Sequence, residues 1–251
     1  MTGQPARSLG TLYGVGLGPG DPDLVTIKAH RVVTTAPVIA YFRKRGKTGH
    51  ARTIVSEMLG SKAVIEIALE YPVTTEVAFD DADYIEPIRN FYAHSATRLS
   101  THLDNGEDIA LLCEGDPFFY GSFLHMYDRL RQTYPVIVVP GITGMSGCWT
   151  AAASPITYGD DVLTVLPGTL SHDALLKSLR ATDAAVIMKV GRNLDKIKKA
   201  LTAAGRFDEA IYVERGTMQG ERVMPLANLE ASPAPYFSII LLPGGRGRRI
   251  T

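Results

Sequence analysis

Apolar and polar positions along the first third of the chain switch between two periods. Thr11 to Val15 form a short apolar segment that runs into "GVGLGPGDPD", after which Leu24, Ile27 and Val32 recur at helical spacing. The pattern reads as strand, loop, helix. Asp21 followed by Pro22 fits an N-cap with proline at the first helical position, where its missing N–H costs nothing. A strand is predicted at Val38–Tyr41, a helix at about Arg52–Leu59 and a β-branched strand at Ala63–Ala68, the alternation a parallel sheet requires. The stretch Glu70–Tyr84 is long for a connection in such a unit, where loops run about 2–6 residues, and long loops tend to be functional. An amphipathic helix is predicted over about Tyr84–Leu103, closed by Asn105-Gly106. A strand at Asp108–Cys113, the loop "EGDPFFYGS", a helix to Arg131 and a strand at Val136–Val139 follow.

Beyond "VPGITG" the pattern changes. The small residues of "MSGCWTAAASP" suit a helix packed tightly at a domain junction, so the boundary falls near Gly141, with domains at 1–141 and 142–251. Strands are predicted at Val162–Leu166, Ala185–Lys189, Ile211–Glu214, Arg222–Pro225 and Ser238–Leu242, with helices at about His172–Ala181 and Leu194–Ala204. "RGTMQGE" joins two of these strands as a hairpin, which mixes antiparallel pairs into the second sheet. The fold class is therefore α/β, with a mostly parallel N-terminal sheet and a mixed C-terminal one.

Composition narrows the partners. The 251 residues suffice for one large domain or two modest ones, and 26 Lys+Arg balance 26 Asp+Glu. With no net charge, no global field recruits nucleic acid or an anionic membrane, and an anionic ligand must meet a local patch such as "RKRGK", Arg43 to Lys47. Cys113 and Cys148 stand in no CxxC spacing and the six histidines form no HExxH pair. That predicts a reduced, cytoplasmic protein without a structural metal. His30, His94, His102 and His125 read as solvated or satisfied helix residues, and Ser146 lacks a GxSxG frame. No signal-peptide pattern opens the chain and no run of about 18 apolar residues occurs, which argues against export and membrane spanning. The C-terminal "GGRGRRIT" reads as a frayed tail.

The glycines at 14, 16, 18 and 20 invite a dinucleotide-binding reading, but GxGxxG fails in each register, because Pro19 or Asp21 stands where a glycine is needed. "GKT" at Gly46–Thr48 mimics a P-loop, yet the earlier glycine falls on Tyr41. Glycine at every second residue still strips one face of side chains. Either a tight strand-to-helix turn or a ligand-facing loop needs that, and the ligand-facing loop is the expectation.

Three segments in order, "GVGLGPGDPDLVTIKA", "EGDPFFYGS" and "VPGITGMSG", carry a resemblance to the tetrapyrrole methylase superfamily, the methyltransferases of cobalamin and sirohaem synthesis. "EYPVTTE", "LLCEGDPFFYGSF", "DDVLTVLPGTL", "MKVGRNL" and "YVERGTMQGE" are most similar to its branch acting on carbon 20 of precorrin-2. The uroporphyrinogen III branch has a GGDP loop where this chain has Glu114 before Gly115. The resemblance implies two α/β domains with S-adenosylmethionine in the cleft between them, release of S-adenosylhomocysteine, a tetrapyrrole substrate and a homodimer. Carried over by motif, the cofactor contacts are Pro19, Gly115, Asp116, Phe119, Thr143, Gly144, Met188, Gly216 and Ser238. Gly144 stands where relatives often carry alanine or serine.

These residue types suit that ligand. A nucleoside with a sulfonium is held well by exposed backbone N–H and C=O groups, hence glycines and tight turns. Asp116 can accept hydrogen bonds or cap the following helix, and Pro117 stiffens the loop. A carboxylate-rich tetrapyrrole calls for a cationic rim, for which Arg43, Lys44, Arg45, Lys47 and Arg52 are candidates, the alternative being a solvated charge run. Loss of a proton from the methylated meso carbon leaves Glu114, Asp116, Tyr120 and water as unranked acceptors. The cobalt-containing analogue, uroporphyrinogen III, RNA modification and a nucleotide-binding oxidoreductase remain the alternative readings.

Overall fold

The computed structural model describes residues 8–61, 63–72, 82–230 and 233–245, with backbone only for 82–84. Most of the predicted long connection (73–81) and most of the tail (246–251) lie outside the described residues. Contacts divide the chain into two compact units, Met1–Thr143 and Gly144–Thr251.

In the first unit the strands are β1 (Leu12–Gly16), β2 (Val38–Lys44), β3 (Ile65–Tyr71), β4 (Ile109–Cys113) and β5 (Val136–Val139). They form one sheet in the order β3-β2-β4-β1-β5, parallel at every pairing. β4, "IALLC", is buried at every residue, as befits a strand covered on both faces. On one face Leu12, Leu111 and Cys113 pack with Leu99 and Leu103 of α4 (Ala82–Asp104) and Phe123 and Met126 of α5 (Phe123–Leu130). On the other, Val15, Ile39 and Leu112 pack with Val33 of α1 (Ile27–Thr35) and with Ile54 and Leu59 of α2 (His50–Ile54) and α3 (Ser56–Leu59). Each such fully buried aliphatic side chain contributes about 1.5–3 kcal/mol.

The expected first helix is two elements. Asp21 accepts the Asp23 N–H at 2.9 Å and caps only a 3₁₀ turn, Pro22–Leu24. α1 has its own cap, Thr26, which accepts the Ala29 N–H at 3.1 Å. This break shifts the helical phase, so Ile27 is 79% exposed while Ala29 and Val33 face the core. The predicted helix at Arg52–Leu59 likewise breaks at Val55 (φ −94°, ψ 8°) into α2 and α3. β2 runs three residues further than expected and takes in Arg43 and Lys44.

The second unit holds α6 (Gly144–Ala151), β6 (Leu163–Pro167), α7 (His172–Arg180), β7 (Ala184–Met188), α8 (Leu194–Ala203), β8 (Ile211–Glu214), β9 (Arg222–Pro225) and β10 (Ser238–Leu242). Its sheet runs β6-β7-β10-β8-β9. β6 and β7 are parallel and the other three pairings antiparallel, with β8 and β9 forming the expected hairpin. α7 and α8 cover one face through Leu175, Leu179, Ile197 and Leu201. On the other, Cys148 of α6 packs with Val186, Val213 and Leu241. Among the described residues no helix is long and apolar enough to cross a membrane.

Candidate functional site

The loops leaving β1 and β4 are locked together. The Gly115 N–H donates to the Gly18 carbonyl at 2.8 Å, and the Gly18 N–H returns a longer bond to the Gly115 carbonyl at 3.4 Å. A side chain on Gly141 would collide with the backbone of Gly16 and with the Gly115 carbonyl, and one on Gly14 with the Phe123 ring. At Gly14 and Gly16 the missing side chains therefore make room for protein, which corrects the expectation of a ligand-facing row of four. Gly18 (φ 80°) and Gly20 (φ 142°) instead supply backbone conformations that close the turn around Pro19.

Asp116 spans this assembly. Its Oδ1 accepts the Phe118 N–H at 2.9 Å and its Oδ2 the Gly141 N–H at 3.1 Å. It is not the cap of α5, whose N-cap position is Ser122, without a side-chain cap bond. Its carboxylate ties the loop after β4 to the glycine after β5, a contact of 25 residues in sequence separation. The Phe119 N–H closes a turn onto the Asp116 carbonyl at 3.1 Å, and Tyr120 follows at φ 55°.

Glu114 opens this loop. Its Oε1 accepts the Ala51 N–H at 3.0 Å. The residue is exposed, yet protein surrounds its carboxyl densely enough that desolvation raises its pKa, against opposing effects from its own N–H, the Ala51 N–H and His50.

In the second unit the expected residues fall at strand ends and at the start of α6. Gly144 has open space where a side chain would stand, with nothing within 4 Å. The Met188 carbonyl accepts the Gly168 N–H at 2.6 Å, and the chain then turns through Lys189 at φ 55°. Gly216 lies against α6, where a Cβ would come within 2.9 Å of the Cys148 Sγ. Arg215 (φ 51°) and Thr217 (φ 66°) flank it. A β-branched residue in this region is strained by about 1–3 kcal/mol. The Thr217 N–H donates to Glu221 Oε2 at 2.6 Å, while its buried hydroxyl has no hydrogen-bond partner. Ser238 is 3% exposed and its hydroxyl donates to the Pro235 carbonyl at 2.6 Å. Beside it, the Tyr212 hydroxyl donates to Glu214 at 3.1 Å, and burial first, then Glu214, pushes the Tyr212 pKa up to about 12.

Sequence reasoning passed over Thr217 and the strain at Tyr120, Lys189 and Arg215. Four of the five non-glycine residues with positive φ among the described residues adjoin Phe119, Met188 or Gly216. No residue-type signal marks such positions, because tyrosine, lysine, arginine and threonine ordinarily avoid them.

The basic run is partly neutralised. Arg43 donates to Glu70 Oε1 through Nε (3.0 Å) and Nη2 (2.6 Å). Arg52 forks onto both oxygens of Glu66, which also accepts the Tyr41 hydroxyl at 3.1 Å. The Arg52 bond holds the Glu66 carboxyl below its usual range. Lys44, Arg45 and Lys47 are exposed at the end of β2 and in the turn beyond it. A cavity of about 430 Å³ lies beside Arg43, Glu66 and Glu70, with Ser95 and Arg98 of α4 on its wall.

A five-stranded parallel unit followed by a mixed one, with glycine turns at the strand ends, defines a class. The model of the tetrapyrrole (corrin/porphyrin) methylases matches residues 11–230, and the chain belongs to that family. Within it, the precorrin-2 C(20)-methyltransferase of Sinorhizobium sp is 51% identical over 240 residues, covering 96% of this chain and 98% of that protein. The cobalt-precorrin-2 C(20)-methyltransferase of Salmonella typhimurium is 26% identical, covering 93% of this chain and 96% of its own. Among solved structures, the uroporphyrin-III C-methyltransferase of Thermus thermophilus complexed with S-adenyl homocysteine has the same fold, with a TM-score of 0.62 at 23% identity. That match covers 92% of this chain and 97% of the other.

Proposed function

We propose that this protein methylates precorrin-2 at carbon 20, giving precorrin-3A in cobalamin biosynthesis, with S-adenosylmethionine as donor and S-adenosylhomocysteine as product. The observation that carries the reading is end-to-end identity of 51% with a precorrin-2 enzyme, against 26% with one named for the cobalt-containing substrate. It also ranks precorrin-2 above its cobalt form.

The residues present fit the cofactor. Gly144 leaves an open face at the start of α6, and the buried Thr217 hydroxyl is unpartnered. A buried hydroxyl left unmatched loses about 1–3 kcal/mol, a loss that a ligand contact would offset. Pro19, Gly115, Asp116, Phe119, Thr143, Gly144, Met188, Gly216 and Ser238 are assigned to the cofactor, joined by Thr217. When bound, S-adenosylmethionine supplies the methyl group as an activated sulfonium. What the chain contributes is alignment, which can lower a barrier by roughly 7–11 kcal/mol. Asp116 serves here by holding its loop, since both its oxygens already bind backbone N–H groups. Ser238, its hydroxyl donated to Pro235, offers the ligand backbone groups and an acceptor lone pair.

We assign the substrate side to the first unit and the cofactor side chiefly to the second. Lys44, Arg45 and Lys47 are the exposed cations for the carboxylate arms, while Arg43 and Arg52 meet substrate only with Glu70 and Glu66 attached. The protein acts as a cytoplasmic homodimer in this reading. The test is incubation with precorrin-2 and methyl-labelled donor, followed by mass and carbon-position analysis. The reading predicts one label at carbon 20, and label elsewhere or none refutes it.

A further inference from the structure

We propose that Glu114 is the base that takes the proton from the methylated carbon. This role rests on the precorrin-2 reading above. Forming the new carbon–carbon bond breaks the methyl–sulfur bond, whose electron pair stays on sulfur. The methylated meso carbon then carries one hydrogen too many for the conjugated product. Its carbon–hydrogen bond must break, the electron pair returning to the ring system and the proton passing to a base. Glu114 becomes a neutral carboxylic acid and later yields the proton to water.

The carboxylates of the first unit sort themselves by their bonds. Asp116 has both oxygens committed to backbone N–H groups. Glu66 and Glu70 are each engaged by an arginine. Glu114 differs. It follows β4 directly, beside Gly115, and the Ala51 N–H fixes its Oε1 at 3.0 Å. Among the described residues no ion pair engages it. Backbone donors fill only part of the roughly four lone-pair sites of a carboxylate, so this exposed residue keeps an open acceptor. Tyr120 is exposed in the loop.

Burial supports the geometry by raising the Glu114 pKa toward the operating range of a general base, with His50 opposing the shift. Asp116 and the buried Cys113 are its titratable neighbours on the same segment. The Cys113 thiol is raised chiefly by burial, then by Glu114 and Asp116. A carboxyl raised on folding is least favourable as an anion, so stability falls as pH rises from the unfolded pKa through the folded one.

The experiment uses full-length protein and the Glu114→Gln variant, whose amide oxygen can still accept the Ala51 N–H. With precorrin-2 and labelled donor, the variant should lose about 100-fold or more in kcat. KM values and calorimetric affinity for S-adenosylhomocysteine should stay within about twofold. Its melting temperature near pH 8 should equal or exceed that of the wild type, an advantage that shrinks below the ordinary carboxylate range. Wild-type kcat in the variant overturns the assignment. So does a loss of kcat accompanied by lost nucleoside affinity or a lower melting temperature, which marks a structural role. A wild type that leaves precorrin-2 unmethylated sinks the functional reading first, and this role with it.

Discussion

The loop after β4 and the turn after β8 each bring a glycine within two residues of an acid, yet they are built on opposite terms. In the first, Gly115, Gly16 and Gly141 interlock backbone to backbone, and Asp116 uses both oxygens to close the assembly. In the second, Gly216 presses on α6, but its neighbours are held at positive φ and the Thr217 hydroxyl is buried without a partner. Both hold a strained residue, Tyr120 in the first, but among the described residues the buried hydroxyl without a partner belongs to the second. Glycine in a turn thus does not by itself announce a ligand, whereas a strained residue with an orphaned polar atom points to one.

Substitutions can break this contrast. The largest effect belongs to Gly141→Ala, because the added methyl meets backbone that cannot step aside. It should lower unfolding free energy by about 3 kcal/mol or more in urea titrations, and a loss under about 1 kcal/mol would mean the interlock is loose. Thr217→Gly comes next and should move two readings in opposite directions. Release of left-handed strain should raise stability by about 1 kcal/mol, while loss of the hydroxyl should weaken S-adenosylhomocysteine binding by about 5–10-fold. Thr217→Ser should restore the affinity. Unchanged binding in the glycine variant would reduce Thr217 to an ordinary strained turn. Smallest is Gly144→Ala, which fills open space and should change the unfolding free energy in urea titrations by less than about 0.5 kcal/mol.

Much of the scaffold was legible because its strands carry dense apolar runs between glycine and proline punctuation. Ile211–Glu214, Arg222–Pro225 and Ser238–Leu242 were predicted at their observed bounds, and the hairpin between the first two followed from "RGTMQGE". Reading failed where a local bond overrides periodicity. Thr26 restarts the helix that Asp21 was expected to begin, and Val55 interrupts the next one. The expected cofactor positions were legible as motifs, but the partners of their side chains were not. Asp116 meets Gly141, and Arg52 meets Glu66, only after strands distant in sequence are side by side. Backbone strain left no trace in residue type, which is why Thr217 escaped notice.

In the proposed function these turns hold a sulfonium-bearing nucleoside. Calorimetric titration of purified wild-type protein with S-adenosylhomocysteine tests it most directly. Saturable binding of one equivalent per chain is expected, with no heat from NADH under the same conditions. Absence of nucleoside binding by correctly folded protein would contradict it.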